Sequence, residues 1–327
     1  MSLYVVLGVW SLVCLFPVYW LVIVSLMAPA DIDHGPHYLP FIDFWPRLEA
    51  WRFILADPYE NLLIRFVNSA VIAASSSFLA VLTGSMVVYG LTRFRRSWSW
   101  ASVGFCLLAT CMMAMALFAG STSVRAIGVI TAVACLLMAL MARGWGPRIE
   151  PRHLLGPLLA TRILPPIAIA VPLYVMAWHL GSLDTRYFLA LTYAAVNLPV
   201  AIWLLQPVLG TKPSEQEEAA QLDGASHAFI FLTITLPMVM GSVAAIGLLV
   251  FVLSWNEYLF AAVLATDHAM TLPPWAVGQL SMKEAQAGGE AEEWAHLSAA
   301  TVLMVLPLLG FTALVQRALG SRQYRHE

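Results

Sequence analysis

Long apolar runs constrain this chain more than any other feature. A helix of about twenty apolar residues is what crosses the hydrocarbon core of a bilayer. Eight such runs can be marked: Leu3–Met27, Phe66–Leu91, Trp98–Ala119, Val124–Ala142, Leu154–Leu180, Tyr187–Gln206, Met238–Leu264 and Leu297–Leu319. A hydrophobic content of 60%, a charged content of 11% and a mean hydropathy of +0.78 agree with them, and do not describe a soluble domain of 327 residues. Without water, backbone N–H and C=O groups must be satisfied within the segment, so the runs are expected to be helices. The expected fold is all-α and polytopic, with about eight transmembrane helices.

Charge sets the sidedness. Arg93, Arg95, Arg96, Arg143, Arg148, Arg152, Lys212, Arg317, Arg322 and Arg325 fall in one set of short connecting segments. They outnumber Arg47, Arg52, Arg65, Arg125, Arg186 and Lys283 in the other set, which makes the first set cytoplasmic. With an even number of crossings, both termini are expected inside. Ala28-Pro29-Ala30 has the small residues of a signal-peptidase site, but the preceding run is too long and lacks a basic flank, so a retained helix is expected. The stretches from Asp31 to Ile64 and from Asp267 to His296 are then external; the second holds Gly288-Gly289 and the acidic Glu290, Glu292 and Glu293.

Several function classes are excluded or unsupported. A net charge of −2 gives no sign of nucleic-acid binding. Cys14, Cys106, Cys111 and Cys135 lie in apolar runs without metal or redox spacing and read as small hydrophobes. The histidines form no H-x-x-x-H pair, so no metal ligand set is expected. No G-x-x-x-x-G-K-[ST] loop occurs, so this chain does not bind ATP in the usual way. No internal repeat of 20–50 residues is evident.

The polar segment 211–237 interrupts the second half. Ser214 and Glu217 have capping-box spacing, so a helix is expected from Glu215. Gly224 is placed to end it in a left-handed conformation. Ser226 can cap a second short helix through Phe229 and Ile230, and Pro237 marks the start of the next membrane helix. Small residues (Ala219, Ala220, Ala225) would let a soluble partner approach closely.

Glu218-Ala219-Ala220, Gly224 and Ile234-x-Leu236-Pro237 fill the E-A-A-x(3)-G-x(9)-I-x-L-P pattern, which resembles the cytoplasmic loop of bacterial ABC-importer permeases. Thr161-Arg162-Ile163-Leu164-Pro165-Pro166, Pro172-Leu173-Tyr174, Trp255-Asn256-Glu257-Tyr258 and Thr271-Leu272-Pro273 look like the carbohydrate-type, maltose-type branch. The resemblance covers about Tyr38–Arg96 and Leu154–Gln316. It implies a coupling helix that fits a groove on a separate ATPase, with Glu217, Glu218, Ala219, Ala220, Asp223, Gly224, Ala225, Leu236 and Pro237 at the contact. It also implies a second permease subunit, an ATPase dimer that holds the ATP and Mg, and a periplasmic or extracellular solute-binding protein. The setting would be the bacterial cytoplasmic (inner) membrane.

Two departures stand out. The family core has six spans, and Trp98–Ala142 adds a helical pair whose lipid-depth residues are almost all apolar. The tail after Gln316-Arg317 is short and polar, without the glycine-rich ending common in the branch. The expected division is 1–97 for the first spans and external loop, 98–152 for the inserted hairpin, 153–320 for the permease core and 321–327 for the tail.

Arg162 and Glu257 are the charges deepest in apolar runs, and intramembrane charge is by default a candidate functional site. For Arg162 two readings stand: a pathway or ion-pair residue, or a side chain that snorkels to the inner surface. Trp255, Asn256, Glu257 and Tyr258 fit an interfacial aromatic belt, and equally a surface for a hydroxyl-rich ligand. Asn197, beside Pro199, is a further path candidate. The reading is the permease subunit of an ATP-driven importer for a carbohydrate or sugar-like solute, with no covalent chemistry of its own. The alternatives are an ion-coupled secondary transporter, which should show inverted repeats and several intramembrane carboxylates, and a membrane scaffold that transports nothing. Cysteines introduced at Ser214 and Arg322 should react only with reagents that reach the cytoplasm, and one at Gly288 with impermeant external reagents. Labelling of position 214 from outside intact cells would overturn this topology.

Overall fold

The computed structural model describes residues 2–56, 62–93, 159–210, 214–281 and 290–323, with a few isolated positions between 130 and 156. The expected pair Trp98–Ala119 and Val124–Ala142 lies outside the described residues, as does Gly288-Gly289. Among the described residues every regular element is helical, and the one β-bridge, Pro40 to Phe44, is isolated. Four helices are long and apolar enough to cross a bilayer: Tyr4–Val24, Leu62–Arg93, Arg186–Leu209 and Ala291–Gly310. His227–Met238 with Met240–Trp255 forms a bent pair that can make a fifth. The chain divides into two compact units, one of residues 1–71 with 269–327 and one of residues 72–268.

In the first unit, α1 (Ser2–Val24) leads into α2 (Pro29–Asp33) and α3 (Glu49–Ala56). The external loop is therefore partly helical. Asp43 organises its middle by accepting from the backbone N–H groups of Leu39 and Tyr38 at 2.9 Å each. Those two donors hold its carboxyl below the ordinary value, the Leu39 bond most. The loop covers a small core of Ile23, Val24, Met27 and Phe44. The last helix of the chain, Glu290–Gln323, packs on α1, α2 and α3. Its contact face is built from Ala291, Ala295 and Ala299, spaced i, i+4, so the backbones can approach closely. Only 6% of the α1 window is buried, which leaves nearly all of its apolar surface for lipid.

The second unit contains most of α4 (Leu62–Arg93), then α5 (Pro166–His179), α6 (Arg186–Leu209), α7 (Glu215–Leu222) and α8 (His227–Ile230). After a π-helical stretch, Phe231–Thr235, come α9 (Met240–Trp255) and α10 (Leu259–Leu264). In the first unit α11 (Leu272–Ser281) precedes α12, the Glu290–Gln323 helix. The core of the second unit lies where α4, α6 and α9 meet, through Ala80, Val81, Val88, Ala201, Ile202, Leu205 and Val250.

Two expected spans are broken rather than continuous. Leu154–Leu180 was expected to be one kinked helix; instead a 3₁₀ turn at Thr161–Ile163 is followed by extended backbone at Leu164 (ψ 133°) and Pro165 (ψ 128°), and α5 starts at Pro166. The residue before a proline is pushed out of the α region, and Pro165-Pro166 applies that twice in succession. Met238–Leu264 was expected to begin at Pro237 and run through. The chain bends by 82° after Met238, at Val239, and α9 begins at Met240. It ends at Trp255, and residues 256–258 separate it from α10.

The turn between α5 and α6 is fixed by one carboxylate. Asp184, with φ +57°, accepts from the backbone N–H groups of Thr266, Asp267 and His268 at 2.9–3.2 Å. Its own N–H donates to Leu264 O at 3.0 Å. On α4, Gly84 lets α6 close in: an added Cβ would lie 3.2 Å from Leu205 Cδ1 and 3.5 Å from Ala201 Cβ. Gly84→Leu should therefore overpack this crossing at a cost of about 1–3 kcal/mol. The expected result is a thermal midpoint in detergent lowered by roughly 5 °C, with Gly84→Ala close to wild type; an unshifted midpoint for the leucine variant would refute the packing.

Candidate docking loop and transport path

Segment 214–238 is built from short helices whose ends are individually capped. Ser214 Oγ accepts from Glu217 N–H at 3.3 Å and starts α7 at Glu215. Gly224, at φ +80°, ends it in the left-handed region, and Ser226 Oγ accepts from Phe229 N–H at 3.3 Å to start α8. These ends match the sequence reading. The other half of the expected capping box does not form, because the Glu217 carboxylate is used elsewhere.

Arg93, in the last turn of α4, takes that carboxylate in a two-pronged fork. Its Nε donates to Glu217 Oε2 at 2.8 Å and its Nη2 to Oε1 at 3.2 Å. Thr235 Oγ1 donates to Oε1 at 2.9 Å. Both charged side chains are 3–4% exposed, so water does not screen the pair. Removing one partner of such a pair leaves an uncompensated buried charge, at a cost of about 3–5 kcal/mol. Beside the fork the Tyr89 and Phe231 rings lie 5.0 Å apart, and the Arg93 guanidinium sits 5.8 Å from the Tyr89 ring centre.

With Glu217 turned inward, helical geometry turns the rest of α7 outward. Glu215, Glu218, Ala219, Leu222, Asp223 and Gly224 are exposed, Leu222 to 90%. Ala220 and Ala225 are half-buried, Leu236 packs on the core of α4, α6 and α9, and Pro237 is exposed. The loop thus presents a small acidic surface with an apolar knob, and is held from behind.

The path candidates fall into two groups. Arg162, in the 3₁₀ turn before the Leu164-Pro165 break, donates from Nη2 to Asn197 Oδ1 at 2.6 Å. Asn197 Nδ2 donates to Ser254 Oγ at 2.9 Å, and the Ser254 and Ser76 hydroxyls share a hydrogen bond of 3.1 Å. A polar chain therefore joins the 3₁₀ turn, α6, α9 and α4, with Arg162 at its exposed end and Ser76 buried. Glu257 accepts through its carboxylate from the N–H groups of Leu259 (3.1 Å) and Phe260 (3.3 Å), which starts α10. Its carbonyl accepts from Tyr193 O–H at 3.3 Å. Trp255 stands apart from this group; it is 2% exposed and stacked on Phe251. Asn256 and Tyr258 are exposed, and Asn256 Nδ2 donates back to Val252 O.

Arg93, Thr235, Ser76 and Ser254 were not among the expected site residues. Arg93 read only as an orientation marker, and Thr235 occupies a free position of the loop pattern. Ser76 and Ser254 are small polar residues in apolar runs, which more often serve helix packing. No sequence spacing pairs positions 124 residues apart, as 93 and 217 are.

Among the described residues the chain is all-helical, with helices long and apolar enough to cross a bilayer, an exposed capped loop and a polar chain between helices, an arrangement that fits a subunit of a membrane transporter. Residues 152–324 match the family described as the binding-protein-dependent transport system inner membrane component. The chain belongs to that family, whose members are multi-pass transporter permeases and not enzymes. It is 37% identical over 166 residues to the probable ABC transporter permease protein y4oR of Sinorhizobium fredii, covering 51% of this chain and 57% of that one. It thus spans little more than half the length of that relative. It is 24% identical over 314 residues to the trehalose/maltose transport system permease protein MalG of Thermococcus litoralis, covering 95% and 90%. A crystal structure of a bacterial ABC transporter involved in the import of the acidic polysaccharide alginate superposes with a TM-score of 0.59 at 18% identity, covering 97% of this chain and 94% of that one. At that identity the likeness concerns the fold.

The polar chain predicts an order of sensitivity. Asn197→Ala removes a link that serves both Arg162 and Ser254, and should cost about 1–3 kcal/mol. Ser76→Ala should cost less, because Ser254 keeps Asn197. Thermal midpoints of the two variants in detergent check this, and equal losses would show that the chain is not continuous.

Proposed function

We propose that this protein is the membrane-spanning permease subunit of an ATP-driven importer for a carbohydrate or sugar-like solute. One observation carries the reading. The face of α7 that bears Glu218, Ala219, Leu222 and Gly224 is exposed and preformed, at positions that fit the loop pattern of ABC-importer permeases. An apolar residue 90% exposed on a loop held by a buried ion pair suits a partner surface better than water. The partner is a separate ATPase dimer that carries ATP and Mg. A second permease subunit completes the translocation unit, and a binding protein delivers the solute from outside the inner membrane. Both termini are cytoplasmic in this reading.

The names of relatives support the solute class: one is a trehalose/maltose permease, another a diacetylchitobiose uptake permease. The polar residues Arg162, Asn256, Glu257 and Tyr258 lie at helix breaks, with Asn197 behind Arg162 inside α6, and together they offer donors and acceptors suited to a hydroxyl-rich ligand. Trp255 then supports this surface from within the core and does not contact the ligand. The inserted pair 98–152 is peripheral in this proposal, facing lipid or another subunit.

One reconstitution tests both halves. The chain is co-expressed with a candidate ATPase, a second permease and a solute-binding protein from the same genome. Glu218→Lys should insert normally yet lose the ATPase on purification, whereas Glu257→Gln should keep the whole complex and lower uptake by roughly tenfold. Normal assembly and uptake with Glu218→Lys would overturn the docking role, and unchanged uptake with Glu257→Gln would remove these residues from the path.

A further inference from the structure

We propose that Arg93 is the positioning residue that makes the docking loop and the long helix α4 move as one body, so that loop displacement reaches the transport path through α4. The proposal rests on reading the loop as the ATPase dock.

The first ground is how α7 is held. Glu217 is the one buried residue of this eight-residue helix. An isolated helix of that length is not stable in water. Beyond its contacts with α8 and the π-helical stretch, α7 is tied to the end of α4 by Glu217, whose carboxylate takes Arg93 and Thr235 together. The second ground is geometry. A single hydrogen bond leaves its two elements free to pivot, but a planar guanidinium bound through both Nε and Nη2 fixes distance and orientation together. The third is that the end of α4 grips both limbs of the loop. Arg93 holds α7, and one turn earlier Tyr89 packs on Phe231 at the start of the π-helical stretch. Thr235 closes the triangle from the other end of that stretch.

The route inward then follows from the continuity of α4. Arg93 and Ser76 lie on the same unbroken helix, about 25 Å apart at 1.5 Å per residue. Ser76 is the α4 end of the polar chain that runs through Ser254 and Asn197 to Arg162. A push on α7 is carried along α4 as a shift of Ser76 against Ser254. A structural ion pair that only helped the fold would not need to join these two places.

The test uses the full complex in lipid nanodiscs, with three variants of this chain. Arg93→Gln keeps most of the length of the side chain and loses the charge and the fork. It should still co-purify with the ATPase and hydrolyse ATP at the basal rate. Stimulation by loaded binding protein and solute uptake should both fall by roughly tenfold, the size of an ordinary coupling free energy. The charge exchange Arg93→Glu with Glu217→Arg should recover most of the stimulation, because it rebuilds the fork in reverse. Thr235→Val should keep assembly and lose part of the stimulation. Full stimulation in Arg93→Gln would overturn the proposal, and so would an assembled exchange variant that recovers none. If Arg93→Gln does not assemble, Thr235→Val decides, and unchanged stimulation there refutes the linkage. A wild-type chain that fails to retain the ATPase would instead refute the docking reading itself.

Discussion

A bilayer offers the backbone no hydrogen-bonding partner, and the architecture of this chain depends on how it meets that constraint. Unbroken helices such as α4 satisfy it without help. Interruptions create N–H and C=O groups that need partners from side chains or neighbouring helices. At residues 256–258 the Glu257 carboxylate takes the N–H groups of Leu259 and Phe260, while Tyr193 serves the Glu257 carbonyl. At Leu164-Pro165 the proline ring removes one N–H outright, and Arg162 just before it is tied to Asn197. Polar side chains thus serve the breaks at Leu164-Pro165 and at residues 256–258, while Asn197 and Ser76 extend the polar chain into the unbroken helices α6 and α4.

Segment 214–238 meets a different constraint, since its short helices have few buried residues to hold them. Short helices of four and eight residues persist there because serine caps, a left-handed glycine and one buried ion pair fix their ends and orientation. Using Glu217 inward leaves Glu215, Glu218 and Asp223 outward. One face of α7 is thereby committed to the chain itself and the other is left exposed. Neighbouring glutamates have opposite surroundings for a geometric reason: successive residues on a helix are about 100° apart around its axis.

What could be read before any coordinates follows the range of the forces involved. Local rules were legible. The caps at Ser214 and Ser226, the left-handed Gly224 and four of the eight apolar segments appeared where propensity and hydropathy placed them. Continuity at prolines was less legible. A proline in an apolar run is compatible with a kink or a full break; Pro165-Pro166 produced a break, whereas the chain stays helical through Pro237 and bends after Met238. Sequence also marked Trp255 to Tyr258 as one cluster, whereas the end of α9 sends Trp255 into the core and leaves Asn256 and Tyr258 exposed.

The sequence by itself determined the membrane class, the helical fold and the position in the chain of a capped polar loop. Hydropathy, capping and turn chemistry act over a few residues and need no distant partner. Tertiary structure alone decided that Arg93 would meet Glu217 and that Arg162, Asn197, Ser254 and Ser76 would form one chain. Each of these contacts joins residues from separate helices, and which helix faces which is set by packing, as where Gly84 admits Leu205 and Ala201. Charge and polarity say that such a side chain requires a partner in a medium of low dielectric. Only the assembled bundle supplies the particular one.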